Sequence, residues 1–175
     1  GADVLLDAIP KVLTNHSTVR FILAGRDEGG THERNFLNLH KGEIIKQVEF
    51  HGEVSDKKRT ELFKDCDVFV APSRYESFGI VYAEAMSFGK PVIGCDAGGA
   101  PEVIGDTAGL LAKVGNPEDL AAKILALCKD EEKRIQMGQN AYKRVSTLFS
   151  RKRMVQDTLD LYAEVTKSMG HNCDE

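Results

Sequence analysis

The sequence has no tryptophan, and its four cysteines lie far apart without a C-x2-C pair. A disulfide framework and a zinc site both need cysteines at short, regular spacings, so neither is expected. No apolar run approaches the ~18 residues that a membrane-spanning helix needs. The opening residues, GADVLLDAIP, show no basic stretch before an apolar run, so no secretory signal is visible. We therefore expect a cytoplasmic protein with reduced thiols.

An excess of positive charge is also lacking, since 23 Lys and Arg stand against 27 Asp and Glu, a net charge of -4. Proteins whose main partner is nucleic acid usually carry a basic surface, so nucleic acid is disfavoured as a partner. The basic runs Lys57–Arg59 and Arg151–Arg153 could contact acidic lipid, which would place the protein at the inner face of a membrane. Each run is more typical of a solvated helix face.

Short apolar runs alternate with longer helical patterns along the first two thirds of the chain. The short runs are β-branched or aromatic and are bounded by Gly, Pro or Asp. They predict strands at 19–25, 48–52, 67–72, 91–95 and 109–112. The longer patterns predict helices at 3–14, 32–46, 56–65, 79–88 and 100–104. This alternation predicts an α/β fold with a parallel sheet covered by helices.

The remainder of the chain is predicted to be helical. Asn116-Pro117-Glu118 has the order of a helix start: a capping residue, Pro at the first helical position, then an acid. Ser55 is a similar candidate cap for the helix at 56–65. Two more helices are predicted, from about residue 131 to 147 and from Ser150 onward, and the tail 169–175 is expected to be frayed.

The clearest chemical signal lies in residues 72–104. A strand ends at Pro72, a polar loop follows, and Phe78-Gly79-Ile80 opens a helix. Ligands of open α/β sheets bind outside the carboxyl ends of the strands, where this loop is expected. The free N–H groups of a first helical turn attract anions, and a glycine there lets a phosphate or a sugar approach the backbone.

Two glutamates accompany this loop. Glu76 is in the loop and Glu84 lies within the following helix, eight residues on. Ionised carboxylates accept hydrogen bonds and therefore suit the recognition of a diol. An isolated pair of this kind is more often a helix cap and a solvated acid.

The surrounding blocks carry a family resemblance. VEFHGEVS, DVFVAPSRYESFGIVYAEAMSFGKPVIGCDAGGAPEVI and GLL resemble the C-terminal, donor-binding domain of retaining GT-B glycosyltransferases of family 4, also called group 1. Glu76 and Glu84 match the E-x7-E motif of that family. The resemblance covers residues 1–168 and implies a Rossmann-like doubly wound parallel sheet with helices on both faces. Residues 1–168 would then be a nucleotide-sugar-binding domain that is truncated at its N-terminus.

The resemblance also implies roles for individual residues. Glu76, the candidate catalytic residue, would contact hydroxyls of the donor sugar near the reacting carbon, and Glu84 would hold the ribose hydroxyls. Backbone N–H groups at the start of the helix would bind the sugar or the diphosphate, and these belong to Phe78, Gly79 and Ile80. Val54 would meet the base through its backbone.

A second part of the crevice is implied at the end of the first predicted strand. Gly25 and Arg26 would line it there, and Arg26 is alternatively a solvated loop residue. The family places an Arg and a Lys before the helix that opens this chain. Both cations, the first strand and the N-terminal acceptor-binding domain would therefore lie upstream of Gly1.

The implied reaction is transfer of a sugar, with retention, from a nucleotide-diphosphate-sugar to a hydroxyl acceptor. The chain would be part of a longer enzyme and inactive alone. Neither a metal nor another cofactor is expected, because no Asp-rich motif stands near the crevice. The alternatives are a non-catalytic nucleotide-sugar-binding module and a GT-B sugar-nucleotide epimerase. A phosphorylase would need a pyridoxal phosphate lysine, for which the sequence offers no evidence.

Overall fold

Strands and helices alternate along the chain as the sequence predicts. The computed structural model describes residues 1–170. The strands within this part are β1 (Phe21–Ala24), β2 (Val48–Gly52), β3 (Phe69–Val70), β4 (Val92–Cys95) and β5 (Gly109–Ala112). The helices are α1 (Ala2–Asn15), α2 (Thr31–Leu39), α3 (Glu43–Lys46), α4 (Asp56–Asp65), α5 (Ile80–Ser87), α6 (Ala100–Ile104), α7 (Pro117–Cys128), α8 (Glu131–Leu148) and α9 (Arg151–Gly170). A short 3-10 turn, Glu28–Gly30, precedes α2.

The strands of residues 1–170 form two parallel sheets. One contains β1 and β2, with Phe21 opposite Val48, and the other has the order β3-β4-β5. All four residues of β4 are buried, as expected for a central strand of a parallel sheet that helices cover on both faces. Residues from both sheets belong to one hydrophobic cluster, which includes Phe21, Ile93 and Ala112. The predicted parallel α/β architecture is confirmed.

Helix α1 fixes how the two sheets are oriented. The backbone of Gly1 lies against the carbonyl of Pro72, just beyond the carboxyl end of β3, and Arg74 donates to both carboxylate oxygens of Asp3 at 3.0 and 2.6 Å. A helix of 14 residues then spans about 21 Å before the chain enters β1. The chain therefore returns to the opposite edge before β1 begins, so β1 and β3 run in the same direction. Their carboxyl ends share one edge.

Local signals at helix starts are confirmed. The Ser55 hydroxyl accepts from the Lys58 N–H at 3.3 Å, and the Asn116 side chain accepts from the Asp119 N–H at 2.9 Å. Each bond satisfies one of the N–H groups that a helix leaves without an internal acceptor. Both helices begin where the capping pattern predicts.

Three predictions need correction. The segment 32–46 is not one helix, because His40 is extended and Gly42 has a φ of +66°, which separates α2 from α3. The strand predicted at 67–72 is confined to Phe69–Val70, the residues that pair with β4. The helix predicted at 79–88 is confined to Ile80–Ser87, because Gly79 has a φ of +97°, and its core residues are Tyr82, Ala85 and Met86.

Helix α9 stands apart from the core. Every side chain from residue 151 to 167 is exposed, including Val155, Leu159 and Tyr162 on one face. Of the predicted frayed tail, residues 169–170 continue α9, and 171–175 lie outside the described residues. Within residues 1–170, no helix has both the length and the apolar content that crossing a bilayer requires.

Candidate functional site

Tyr82 anchors helix α5 beneath the loop that follows β3. Its side chain is fully buried, and its hydroxyl donates to the carbonyl of Ala71 at 2.5 Å. Its ring meets Phe69 edge-on, with centroids 6.2 Å apart. Burial raises the pKa of Tyr82 to about 12, so the hydroxyl stays protonated and keeps donating. The start of α5 is thereby held at the carboxyl end of β3, where the sequence predicts a ligand.

Glu76 caps this helix in the structure. Its Oε1 accepts from the backbone N–H of Gly79 at 3.1 Å, and its side chain is partly buried. Gly79 has a φ of +97°, which glycine adopts without strain, and a Cβ there would lie 2.7 Å from the ring of Tyr82. A carboxylate at a helix N-terminus is stabilised by the free N–H groups and the helix dipole. The Gly79 N–H is therefore already engaged, and a ligand would have to share it or displace Glu76.

Phe78 and Ile80 flank Gly79 and are exposed, at 48% and 66%. Ile80 is the first residue of α5, so its N–H has no acceptor within its own helix. The ring of Phe78 packs edge-on against Phe149 at the end of α8, with centroids 5.8 Å apart. The start of α5 is thus exposed at Phe78 and Ile80, whereas Gly79 between them is buried.

Glu84 points toward helix α4. Its Oε1 lies 3.4 Å from Nη2 of Arg59, and the side chain is 35% exposed. Arg59 also approaches Asp56 at 3.2 Å, in the first turn of α4. Helix α4 follows directly on the loop that contains Val54, which is partly buried. Glu84 is therefore paired with the first turn of α4 and is not a freely solvated acid.

The remaining predicted residues meet at the ends of β1 and β2. The N–H of Gly25 donates to the carbonyl of Gly52 at 2.8 Å, which extends the pairing of these strands by one bond. Arg26 lies 3.6 Å from the carboxylate of Glu53, and both side chains are exposed. Arg26 is thus an exposed loop residue with an acidic neighbour.

The predicted residues fall into two groups along one edge of the molecule. The first group is Glu76, Phe78, Gly79 and Ile80, at the end of β3. The second is Gly25, Arg26 and Val54, at the ends of β1 and β2. The pair of Glu84 and Arg59 connects them, because α5 begins at the first group and α4 begins just after the second.

Sequence reasoning missed four residues that support these groups. Two of them are Tyr82 and Arg59. The sequence places Arg59 in a basic run that is typical of a solvated helix face. The others are Gly98 and Gly99, in the turn after β4, where the N–H of Gly99 donates to the carbonyl of Glu76 at 2.7 Å. Two consecutive glycines in the turn after a buried strand are a signal of close backbone approach.

The polar groups that the structure brings together at the candidate site are carboxylates and backbone N–H groups. Among the residues that the structure describes, no cluster of three or more His, Cys, Asp or Glu side chains is arranged to hold a metal ion. Cys66, Cys95 and Cys128 are free thiols, and burial raises the pKa of each. Cys173 lies outside the described residues. Such thiols are poor nucleophiles near neutral pH.

Comparison with known proteins identifies the relatives of this chain. Residues 1–144 match the family described as glycosyl transferases group 1. An uncharacterized glycosyltransferase of Methanocaldococcus jannaschii is 35% identical over 167 residues, which is 95% of this chain and 45% of that protein. This chain therefore spans less than half the length of that relative.

Two solved structures have folds similar to that of this chain. The Anabaena protein HepE in complex with UDP has a TM-score of 0.78 at 28% identity, over 94% of this chain and 45% of that one. The C-terminal domain of a glycosyl transferase group 1 family protein from Francisella tularensis has a TM-score of 0.77 at 25% identity. That match covers 86% of this chain and 80% of the Francisella domain.

Proposed function

Because the chain belongs to the group 1 family of glycosyl transferases, we propose that it is the donor-binding half of a longer enzyme. That enzyme would transfer a sugar from a nucleotide-diphosphate-sugar to a hydroxyl acceptor. The similarity to the UDP complex of HepE supports a nucleotide ligand, and the short span relative to the full-length relatives supports a longer polypeptide.

The observation that carries the proposal is the placement of the two glutamates relative to helix α5, one at its N-terminus and one within it. Glu76 sits over the N-terminus of α5, and Glu84 is paired with Arg59 in the first turn of α4, the helix that follows the loop after β2. One ligand could then place its sugar near Glu76 and its ribose near Glu84. The diphosphate between them would lie over the first turn of α5, where free N–H groups and the helix dipole favour an anion. The base would reach the backbone of Val54.

The proposed chemistry uses this arrangement to stabilise charge. As the glycosidic bond to the diphosphate breaks, negative charge grows on the leaving group. Fixed donors such as the N–H groups of Phe78 and Ile80 would stabilise this growing charge, so they would stabilise the transition state more than the ground state. Glu76 would accept a hydrogen bond from a sugar hydroxyl, in place of its bond to the Gly79 N–H. We propose that no metal is required and that the reaction retains the anomeric configuration.

The rest of the enzyme would complete the site. Two cations and an acceptor-binding domain upstream of Gly1 would neutralise the diphosphate and bring the acceptor to the sugar, with closure of the two domains. The chain alone would then bind a nucleotide diphosphate weakly and transfer nothing. The exposed basic residues Arg151–Arg153 could hold the longer protein against an acidic membrane surface.

The test combines binding and turnover. Calorimetry with UDP, GDP and ADP, on this chain and on the full-length protein, should give binding of one of them that is tighter in the longer protein. Release of the same nucleotide diphosphate from its sugar, dependent on an added acceptor, would establish transfer. Binding without any turnover would favour the non-catalytic module, and an altered donor sugar without an acceptor would favour an epimerase. No binding of any nucleotide to the full-length protein would overturn the proposal.

A further inference from the structure

The turn between β4 and α6 is hydrogen-bonded to the loop that contains Glu76. β4 is buried along its whole length, and the first residue after it, Asp96, donates its N–H to Ala112 at 3.1 Å, which extends the pairing with β5. Three residues later the N–H of Gly99 donates to the carbonyl of Glu76 at 2.7 Å. The loop is thus hydrogen-bonded to a turn that follows a strand buried along its whole length.

The contact is close enough to exclude side chains. A Cβ on Gly98 would overlap the carbonyl group of Glu76. A Cβ on Gly99 would lie 2.8 Å from the carbonyl oxygen of Ser77 and 3.0 Å from Cα of Phe78. In each case the obstructing atoms are backbone, which cannot turn aside as a flexible side chain can. Only glycine at both positions allows the two backbones to meet at this distance.

We infer that Gly98 and Gly99 are positioning residues for the donor site. Because both glycines contact the backbone of residues 76–78, they determine the positions of the Glu76 carboxylate and the Phe78 N–H relative to α5. The inference rests on the proposed function and assigns a role to a turn that touches no ligand. Binding needs its polar groups within a narrow range of positions, and groups held by rigid elements stay within that range. A misplacement of about 1 Å can lower the rate roughly a hundredfold.

This role affects one end of the ligand only. The loop 76–78 would face the sugar and the diphosphate, whereas Glu84 is held by Arg59 from helix α4 and does not depend on the turn. Displacing the loop should therefore weaken binding of the nucleotide sugar and leave binding of the corresponding nucleoside monophosphate unchanged. General destabilisation would reduce both affinities by the same factor.

The experiment compares three alanine variants of the full-length protein. Gly98→Ala and Gly99→Ala each add a methyl group against the loop. Gly115→Ala is the matched control for Gly98→Ala, because Gly115 also has a positive φ, +68° against +55°, but has nothing within 4 Å of an added Cβ. Gly99 has a φ of -80°, so its variant carries the steric effect without left-handed strain and remains usable if Gly98→Ala does not fold.

Calorimetry would measure the affinities for the nucleotide sugar and for the nucleoside monophosphate. We expect the ratio of the two affinities to fall roughly ten- to a hundredfold in Gly98→Ala and Gly99→Ala and to be unchanged in Gly115→Ala. Hydrogen exchange gives a second readout that needs no ligand: the Gly79 amide, bonded to Glu76, should exchange faster in the first two variants only.

Two results would overturn the inference: an unchanged affinity ratio in Gly99→Ala, or unchanged protection of the Gly79 amide. If the unmodified protein binds no nucleotide but Gly79 still loses protection in the variants, the proposed function fails while the mechanical link to the loop stands.

Discussion

Arg59 and Glu84 form an ion pair between helices α4 and α5, with 3.4 Å between Nη2 and Oε1. The pair is half-exposed, so its contribution to stability is small, on the order of 0–1 kcal/mol. Its effect is geometric, because it holds the Glu84 carboxylate beside the first turn of α4, the helix that follows the loop containing Val54. A basic run that would otherwise be a solvated helix face thus supplies one residue to the candidate site.

Removing Arg59 should weaken nucleotide binding while leaving the fold intact. In the full-length protein we expect Arg59→Ala to lower nucleotide diphosphate affinity about three- to tenfold, since Glu84 loses its orienting partner. Arg59→Lys should restore part of that loss. Lys58→Ala is the matched control, as Lys58 is an exposed neighbour that faces Glu61 at 3.9 Å. Equal affinity in all three variants, measured by calorimetry, would show that Glu84 needs no partner.

The two glutamates should separate in kinetics. We expect Glu76→Ala mainly to lower kcat and Glu84→Ala mainly to weaken nucleotide affinity. Losing a charge-assisted hydrogen bond costs about 1.5–3 kcal/mol, which corresponds to roughly a ten- to hundredfold effect in each case. Glu132→Ala, on an exposed part of α8, is the control. Negligible effects from both site variants would return the glutamates to the roles of a helix cap and a surface acid.

Tyr82 should make the stability of the domain depend on pH in alkaline solution. Its pKa is raised by burial from 10.0 to about 12, so only the unfolded chain loses the phenolic proton between these values. The stabilisation is therefore complete below pH 10 and decreases as the pH rises toward 12. Tyr82→Phe should abolish this part of the pH dependence and lower stability by about 1–2 kcal/mol, because the Ala71 carbonyl loses its donor.

Urea unfolding at several pH values above 9 would measure both effects. Tyr142→Phe is the matched control, because Tyr142 is 57% exposed. An alkaline stability loss of the same size in Tyr82→Phe and in the unmodified protein would assign that loss to other groups.

Features of the fold that depend on neighbours in sequence were predictable. The caps at Ser55 and Asn116 act three residues ahead, so their patterns can be read directly from the chain. The buried strands carry short β-branched runs because helices cover both faces of the sheet. The division of 32–46 into two helices was missed, since a single left-handed glycine, Gly42, interrupts an otherwise helical pattern.

Features of the site that join distant segments were not predictable from local patterns. The family resemblance identified Glu76 and Glu84, but nothing near them in sequence indicates that Arg59 or Gly99 would be their partners. Those contacts arise only when α4 and the turn after β4 are packed against α5. The sequence therefore predicts which groups are candidates for the chemistry, and the packing determines what holds them in place.

The last prediction concerns the free edges of the two sheets. β1 and β3 are each the outer strand of their sheet, and α1 begins beside the end of β3 and leads into β1. A strand that preceded α1 in a longer polypeptide would therefore lie between β1 and β3, parallel to both. The N–H groups of Phe21, Gly25, Phe69 and Ala71 already point to β2 or β4. By strand alternation, those of Ile22, Ala24 and Val70 point toward the position of that strand.

Adding the upstream segment should thus protect those three amides from hydrogen exchange and raise the urea midpoint. Each newly paired backbone group should contribute about 0.5–1.5 kcal/mol, so several together are a sizeable part of the 5–15 kcal/mol stability of a domain. A segment of equal length with proline at every position of the strand is the control, because it has no N–H group to donate to either neighbour. Unchanged exchange of Ile22 and Val70 in the longer protein would mean that something other than an upstream strand covers these edges. Protection equal to that with the control segment would instead point to simple shielding of the edges, without strand pairing.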